Sequence, residues 1–492
     1  MLNNITKSIL IIIQGLCFAI AGGTLIFMLF YQLDTLTMRL WDESRNAANA
    51  LEMYYNHNYI VKHYLGKPDM WELKPPFLVW TQQISLHLFG INEFAIRLPS
   101  VLAIVALAVA LFGVAKKHSQ YVFIGFLVVL NLALNPGIFG AHIARFGDHD
   151  ALLCLFSFGS IYAFYRWSLK PDSLKWSAWF WVFLAFAWLT KSIVALFFGP
   201  AWIIYLLLSK KLFIFIKNRT FWIGFAGFLI IPALYYLWHE ILTPGYLNEV
   251  WNHELFNRYA GNRPEYHTDH SQFFIYFQSI WGRLGNWYFL LPLCIVLSFR
   301  KTANAHFMRY LLLCSVCTLL VISYGPKNFW YDAVVLVLLI LLNVLALSEI
   351  FSLLKNRIYQ WIFVVVVLII TLAFNLKNYS TIKKSNVFDV NIEQDDTMYK
   401  LAYLLRDETF YKENDSINLL YNDMEAPLRF YIIKLQKEQK KVIREWMHPK
   451  PKDLTLSTYY TNDTAIVAMA KSIGYTAKDI DYQCYKLKKE IK

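Results

Sequence analysis

Residues 332–347 read DAVVLVLLILLNVLAL, a stretch in which only Asp332 and Asn343 are polar. Together with its flanks, this run approaches the length of about 20 residues that a helix needs to cross a bilayer core. The whole chain has the same character, because 57% of its 492 residues are hydrophobic and only 16% are charged. Soluble domains carry roughly 25% charged residues. The sequence therefore predicts an α-helical polytopic membrane protein.

Lysine and arginine gather in short connectors between the apolar runs, at residues 116–118, 166–175, 210–219, 300–309 and 355–357. Short basic loops stay on the cytoplasmic side of a membrane. Threading the apolar runs between these loops predicts about eleven spans, and at most thirteen, with residues 33–98 and 240–280 as outer loops. Because this pattern accounts for the net charge of +13, we expect membrane lipids, and no nucleic acid, as partners.

The composition becomes polar from Lys377 onwards. DDTMYKLAYLLRD, residues 395–407, has helical spacing, whereas SINLLYND at 416–423 and TAIVAMA at 464–470 resemble strands. We therefore expect two domains. Residues 1–376 form the membrane domain, and residues 377–492 form a small α/β domain on the outer side.

Charged residues stand out in the first expected outer loop. RLWDESRNAANALEM, residues 39–53, places Asp42, Glu43 and Arg45 together after the first apolar run. Taken alone, the two acidic residues indicate the first turn of a helix. MWELKPP follows at residues 70–76, and its two prolines favour a helix start directly after Lys74. Charges beside a membrane core are usually paired or functional.

The order of these motifs resembles a known superfamily. The Asp-Glu pair, with an arginine three residues after the aspartate, precedes Lys-Pro-Pro and then FGINEFAIRLPS at residues 89–100. This order resembles the first outer loop of the aminoarabinose lipid A transferases and protein O-mannosyltransferases. Those bacterial enzymes are glycosyltransferases of the GT-C fold that use polyprenyl-phosphate-linked sugars. The resemblance implies the GT-C fold and a glycosyltransferase activity.

Later segments resemble other motifs of the superfamily. ARFGDHDALL, residues 144–153, resembles its second acidic motif, with Asp150 as the match and Asp148 as a neighbour. A loop carrying an arginine and a histidine corresponds to Arg258 and His267. A Lys-x-x-x-Tyr segment corresponds to residues 327–331, which gives Lys327 and Tyr331.

One position departs from the aminoarabinose transferases, which carry glutamate directly before Lys-Pro. Leu73 occupies that place here, and Glu72 lies one position earlier. This departure removes the family's glutamate ligand from its usual position. A divalent metal ion stays an open alternative, and its ligands stay unassigned. No other cofactor is expected.

The resemblance and the chemistry of sugar transfer together assign roles. A carboxylate must accept the proton of the acceptor hydroxyl, and cations must hold the donor phosphate as it leaves. The expected catalytic residues are Asp42, Asp150 and Glu43, with Asp42 as the base. The expected phosphate-binding residues are Arg45, Lys74, Arg258, Lys327 and Tyr331. Secondary candidates are Asp148, Glu72 and His267.

The predicted reaction moves a sugar from a polyprenyl-phosphate donor to a lipid, such as a lipid A-like molecule, or to a protein. It takes place at the outer face of the cell inner membrane, with inversion at the anomeric carbon. A secondary transporter or flippase for a lipid-linked or anionic substrate is the alternative. Transporters place polar groups near mid-bilayer and are built from repeated halves. Here no such repeat is visible, and the charges gather at one expected face.

Overall fold

The computed structural model describes residues 2–119, 121–256, 272–384, 397–422 and 425–490. The chain groups into two compact units. The first, which we call the helical unit, comprises Met1–Tyr31, Met70–Leu78 and Pro99–Val387. The second, the mixed unit, comprises Gln32–Asp69, Val79–Leu98 and Phe388–Lys492. The expected division at residue 376 differs from this grouping, because much of the first expected outer loop groups with the C-terminal residues.

Helices long and apolar enough to cross a membrane dominate the described part of the chain. There are eight: Glu93–Ser119, Asp150–Leu169, Leu174–Leu196, Arg219–Leu242, Ile275–Ser298, Ala303–Tyr324, Phe329–Leu353 and Arg357–Lys383. Three of them include turns of 3₁₀ geometry, at Ser192–Leu196, Gly285–Leu290 and Phe329–Asp332. The first turn follows the α-helix Leu174–Lys191, and the second connects Ile275–Leu284 to Leu291–Ser298. The third precedes the α-helix Ala333–Leu353.

Three shorter apolar helices accompany the long ones, at Gln14–Phe30, Val122–Ala133 and Gly199–Leu208. The first is the apolar part of the helix Leu2–Phe30. The long and short helices coincide with the eleven apolar runs counted in the sequence, although among the described residues only the eight long ones have the length of a span. The predicted polytopic helical fold is confirmed. The chain also forms the helices Phe77–Phe89, Leu212–Lys217, Tyr246–Glu249 and the π-helical Val250–Phe256.

The helix Ala333–Leu353 is the centre of the helical unit. It is apolar all round and buried on every face from Ala333 to Glu349, as expected of a helix surrounded by others. Its one amide, Asn343, donates a hydrogen bond of 3.1 Å to the carbonyl oxygen of Trp287. In contrast, Arg219–Leu242 and Arg357–Lys383 expose most of their aliphatic side chains. We infer that these two helices face lipid.

Close helix packing is visible at Gly224 in the helix Arg219–Leu242. A Cβ atom at this position would lie 1.9 Å from the indole ring of Trp181. Small residues allow such close approach of neighbouring helices in membranes. Glycine at 224 therefore allows this helix to pack against Leu174–Lys191.

The mixed unit contains a five-stranded sheet and a separate hairpin. The hairpin pairs β1 (His63–Tyr64) with β2 (Lys67–Pro68). The sheet contains β3 (Ser416–Tyr421), β4 (Val442–Met447), β5 (Thr458–Thr461), β6 (Tyr475–Ile480) and β7 (Cys484–Lys489), in the order β4-β3-β5-β7-β6. Strand β3 is parallel to β4 and β5, and β7 is antiparallel to β5 and β6. The mixed unit also contains the helices Asp42–Asn56, Thr397–Arg406, Glu408–Glu413, Ala426–Glu438 and Thr464–Ser472.

These elements confirm the predicted small C-terminal α/β domain, and one local prediction is wrong. SINLLYND contains β3, and the predicted helix near residues 395–407 is Thr397–Arg406. TAIVAMA was expected to form a strand but lies in the helix Thr464–Ser472. The Asp463 side chain accepts hydrogen bonds from the amides of Ala465 and Ile466 and so caps the first turn.

The helix Asp42–Asn56 packs against Ala426–Glu438, and its residues Ala47, Ala50 and Leu51 lie in the same hydrophobic core as Phe430 and Leu419. The acidic pair at 42–43 begins this helix, as the sequence predicted. The first expected outer loop is therefore part of the core of the mixed unit.

Arg97 organises the segment that precedes this helix. Its guanidinium donates to Glu43 Oε1 at 2.7 Å and to the backbone carbonyls of Leu33, Leu36 and Thr37 at 2.8, 2.9 and 2.6 Å. Both Arg97 and Glu43 are buried. A single side chain therefore satisfies a carboxylate and three carbonyl groups that would otherwise be costly to bury.

We expect Arg97→Met to destabilise the mixed unit by about 3–5 kcal/mol, because it leaves the Glu43 carboxylate buried without its cation. Thermal unfolding of the purified protein, followed by tryptophan fluorescence, measures the loss. Arg444→Met is the control, since Arg444 is exposed and its substitution should leave the melting temperature nearly unchanged. Equal melting temperatures for the two variants would contradict the role given to Arg97.

Candidate functional site

The Lys-Pro-Pro motif is held in place by aromatic residues of the helical unit. The Tyr246 hydroxyl donates to the carbonyl oxygen of Leu73 at 2.8 Å, and its ring stacks on His239 with centroids 3.4 Å apart. Just after this contact, Lys74 Nζ donates to Glu72 Oε2 at 2.7 Å. The Lys74 side chain is 11% exposed. The motif therefore presents a nearly buried ammonium group at a fixed backbone position.

Asp150 is paired with a lysine that lies 41 positions later in the chain. Asp150 begins the helix Asp150–Leu169, and Lys191 ends the helix Leu174–Lys191. Lys191 Nζ donates to the two carboxylate oxygens of Asp150 at 2.8 and 2.6 Å, and both side chains are buried. The same ammonium nitrogen lies 5.1 Å from the ring centroid of Tyr331.

Lys74, Lys191 and Tyr331 line one cavity of the helical unit. Glu254 also lines the cavity. The rest of the wall consists of five apolar side chains and the turn after Tyr324. The five are Ile193, Val194, Phe197, Val321 and Ile322, and the turn residues are Gly325 and Pro326. The cavity volume is about 20 Å³, which is room for a single water molecule. A phosphate group can enter only if this space widens.

The predicted phosphate ligand Lys327 lies beside this turn. Lys327 Nζ donates to the carbonyl oxygens of Ser323 and Gly325, the latter at 2.9 Å. These carbonyls end the helix Ala303–Tyr324, so Lys327 caps that helix. The next turn is fixed by Asp332, whose carboxylate accepts two hydrogen bonds from Arg283 Nε at 2.7 and 2.9 Å. This second ion pair is also buried on the aspartate side.

Asp148 is held by two histidines. Its Oδ2 is 2.7 Å from His142 Nδ1, and its Oδ1 is 3.1 Å from His149 Nδ1. The His142 ring stacks on Trp330 with centroids 3.8 Å apart. Burial alone would raise the pKa of Asp148, but the hydrogen bonds with the two histidines hold that pKa well below its usual range. Asp148 is therefore firmly held between the two histidines.

The acidic motif at residues 42–45 belongs to the mixed unit. Asp42 is half-buried at the first position of its helix, and Glu43 is buried against Arg97. Arg45 binds Asp69 through two hydrogen bonds of 2.9 and 2.7 Å. Burial opposes ionisation of Asp69, but the Arg45 guanidinium lowers its pKa below the usual value. Glu43 and Arg45 thus have clear structural partners.

Arg258 and His267, the candidates expected in the second outer loop, lie outside the described residues. Conversely, no sequence motif pointed to Lys191, Arg283 or His142. Lys191 could have been noticed because it interrupts the apolar segment WLTKSIVALFF, where an unpaired charge is costly. No local pattern connects Arg283 to its partner, which is 49 positions away in the sequence.

A metal ion at the Lys-Pro-Pro motif would need the Glu72 carboxylate as a ligand. Glu72 Oε1 accepts a hydrogen bond of 3.3 Å from the Lys74 amide, and Oε2 accepts one from the Lys74 ammonium group. The ammonium competes with any cation for this carboxylate. These residues fit an ion pair better than a metal site, and we derive no step through a metal.

We expect Lys191→Met and Asp150→Asn each to lower the melting temperature of the detergent-solubilised protein, because each change leaves one buried polar group without its partner. The double variant should lose less stability than the sum of the two single variants, which indicates direct coupling. Thermal unfolding of the four proteins measures this cycle. Additive losses would show that the pair is not formed.

Sequence comparison links the chain to sugar transferases. Residues 73–238 match the family described as dolichyl-phosphate-mannose-protein mannosyltransferase. The undecaprenyl phosphate-alpha-4-amino-4-deoxy-L-arabinose arabinosyl transferase 2 of Proteus mirabilis is 26% identical over 301 residues, which cover 58% of this chain and 52% of that protein. An Aeromonas hydrophila arabinosyl transferase of the same description is 31% identical over 146 residues, 29% of this chain and 25% of that protein. The chain thus spans at most about half the length of these relatives.

Structural comparison extends the likeness to nearly the whole chain. The crystal structure of ArnT from Cupriavidus metallidurans bound to undecaprenyl phosphate superposes with a TM-score of 0.68 at 16% identity, covering 96% of this chain and 97% of that one. The apo structure of the same protein gives a TM-score of 0.68 at 15% identity. The resemblance to the aminoarabinose transferases and protein mannosyltransferases is thus confirmed, and the chain is a multi-pass membrane protein with the GT-C fold that they share.

Proposed function

We propose that this protein is an integral-membrane glycosyltransferase that moves a sugar from a polyprenyl-phosphate-linked donor to a lipid or protein acceptor. The observation that carries the proposal is the cavity where Lys74, Lys191 and Tyr331 meet. Two ammonium groups and a phenol are suited to hold an anion in an apolar surrounding. A solved structure of the same fold is bound to undecaprenyl phosphate, and the cavity would have to widen to take the phosphate of such a lipid.

The donor phosphate would be held by the lysines of this cavity. When the bond between the anomeric carbon and the phosphate oxygen breaks, the oxygen keeps the electron pair and becomes more negative. Cations held in a water-poor site stabilise this charge more strongly than they would in water. We assign Asp150 as a positioning residue, because its carboxylate fixes the ammonium group of Lys191. Lys327 and Arg258 stay predicted phosphate ligands, and His267 stays a secondary candidate; Arg258 and His267 lie outside the described residues.

The acceptor hydroxyl would attack the anomeric carbon from the face opposite the phosphate and so invert its configuration. Its proton needs a carboxylate base. We assign this role to Asp42, as the sequence motif predicts. Glu43 holds the segment before the helix through Arg97 and so supports Asp42 indirectly.

The membrane placement of the reaction is part of the same proposal. The short basic loops favour a protein of the inner membrane whose first outer loop and C-terminal α/β domain face the outside. A lipid-linked donor exposed at the outer leaflet fits that arrangement. The sugar and the acceptor are open between a lipid A-like molecule, another lipid and a protein.

We expect Asp42→Asn to reduce sugar transfer by roughly 10²-fold or more, the usual effect of removing a positioned acid–base group. Transfer from an undecaprenyl-phosphate-linked sugar by the purified protein in vesicles measures this loss. Asp34→Asn is the matched control, since Asp34 is an exposed carboxylate of the same segment. Near-normal transfer by a folded Asp42→Asn protein would overturn the assignment of the base.

Lys74→Gln should weaken the binding of undecaprenyl phosphate by about ten- to a hundredfold, because a hydrogen bond to a charged group is worth about 1.5–3 kcal/mol. A titration of the lipid phosphate into nanodiscs that contain the protein measures the affinity. Lys116→Gln serves as the control, since Lys116 is exposed in the last turn of the helix Glu93–Ser119. Equal affinities for the two variants would remove Lys74 from the donor site.

A further inference from the structure

A large cleft lies within the mixed unit, and none of the residues assigned to the reaction above lines it. It is bordered by the helix Asp42–Asn56, by the β1–β2 hairpin and by the helix Ala426–Glu438. Its volume is about 540 Å³, within the range of about 300–1,000 Å³ that is typical of small-molecule sites. The chemistry of its wall therefore indicates what kind of molecule it can take.

One part of the wall is apolar. It consists of Ile432 and Ile433 on one helix, the ring of Tyr55 on the other, and Leu65 at the tip of the hairpin. Leu65 is 51% exposed. These apolar side chains can pack against the C–H face of a sugar ring. They offer no ligand to a small inorganic ion.

The other part of the wall is polar and almost balanced in charge. Glu52 and Lys437 contribute one negative and one positive charge, and the positive charge of Arg429 is matched by Glu445 behind it, with Nη1 and Oε1 2.9 Å apart. The remaining polar residues are Asn56, His63 and Gln436. An ion entering this cleft would meet no excess of opposite charge. A neutral molecule that both donates and accepts hydrogen bonds meets partners of both kinds.

Two donors in the wall have no hydrogen-bond partner among the described residues. They are the Tyr55 hydroxyl and Arg429 Nε, and both atoms are buried. Buried polar groups without partners are uncommon in folded proteins and call for an explanation. A ligand hydroxyl that enters the cleft can satisfy them after a small side-chain shift.

The hairpin tip is held in an unfavourable conformation at the edge of the cleft. Leu65 and Gly66 have φ values of +58° and +72°, and a leucine with positive φ is strained, whereas asparagine or glycine would not be. The Glu52 carboxylate fixes this turn by accepting the Gly66 amide at 3.0 Å. Such strain is kept where the surrounding structure requires it, often at binding sites. Here it places the Leu65 side chain at the cleft.

We propose that this cleft binds a neutral saccharide, with the apolar wall against a sugar ring and the polar wall against its hydroxyl groups. The saccharide is either a glycan carried by the acceptor or a free sugar, since both offer the same chemistry. The alternative in which the saccharide belongs to the acceptor rests on the proposed function, whereas saccharide binding by the cleft does not. The charge balance and the apolar wall disfavour an anion, and the mixed hydrogen-bonding wall disfavours a lipid chain.

The test measures the binding of three neutral disaccharides to the full-length protein in nanodiscs by saturation-transfer NMR. The disaccharides are mannobiose, galactobiose and chitobiose. We expect at least one of them to bind. Ile433→Trp should weaken its binding by about tenfold or more by filling the cleft. Ile473→Trp is the matched control, because Ile473 is a partly exposed isoleucine of the same unit that does not line the cleft.

A gentler pair of variants keeps the proposal testable if Ile433→Trp fails to fold. Tyr55→Phe removes one hydroxyl group that has no partner among the described residues, so it should not lower the melting temperature. It should weaken disaccharide binding by roughly two- to tenfold, the effect of one hydrogen bond. Tyr54→Phe, on the same helix but outside the cleft wall, should have no effect.

The outcomes separate the cleft from the enzyme activity. Binding that also inhibits sugar transfer identifies an acceptor glycan, and binding without inhibition identifies a free saccharide. No binding of any disaccharide, binding that Ile433→Trp and Tyr55→Phe leave unchanged, or displacement of the disaccharides by a neutral peptide overturns the proposal. Disaccharide binding by a protein that transfers no sugar would refute the proposed function and leave the cleft assignment intact.

Discussion

The buried ion pair between Lys191 and Asp150 is the constraint on which the site of the helical unit depends. Either charge buried alone among apolar helices would be strongly unfavourable, so each charge needs the other as its partner. The pair joins the end of one helix to the start of another and fixes the ammonium group 5.1 Å from the ring of Tyr331. Sequence-distant residues are thereby assembled at one cavity, and the Lys-Pro-Pro motif adds Lys74 to the same wall.

The same principle operates in the mixed unit, where charged residues of a family motif take structural roles. Glu43 and Arg97 bind each other, and Arg97 also satisfies three backbone carbonyls. Arg45 is bound by Asp69 and lies over the Tyr64 ring at 4.1 Å. Charged residues of this motif therefore hold the scaffold, and only some of its members would touch a substrate. For this reason we assign the base to Asp42 and give Glu43 a supporting role.

Hydropathy and basic loops were sufficient to predict the helical fold, because a membrane requires long apolar segments whatever their tertiary contacts. The helix at Asp42 and the strand at Ser416 followed from local patterns in the same way. TAIVAMA did not, since a cap at Asp463 outweighed its strand-like alternation. The site was only partly predictable. Asp150 and Lys74 stood in motifs, but the partners Lys191 and Arg283 are identified by three-dimensional pairing that no local pattern encodes.

The resting pairs also bear on how a phosphate would enter. Lys74 is neutralised by Glu72 and Lys191 by Asp150, which allows both cations to be held in an apolar surrounding before any donor is bound. A phosphate that enters the cavity adds negative charge and must draw one ammonium group away from its carboxylate. Glu72 lies two positions before its lysine, outside any helix, and its side chain can rotate away, whereas Asp150 is buried at the start of a helix. Lys74 is therefore the cation expected to move to the donor, and Lys191 the one that stays fixed.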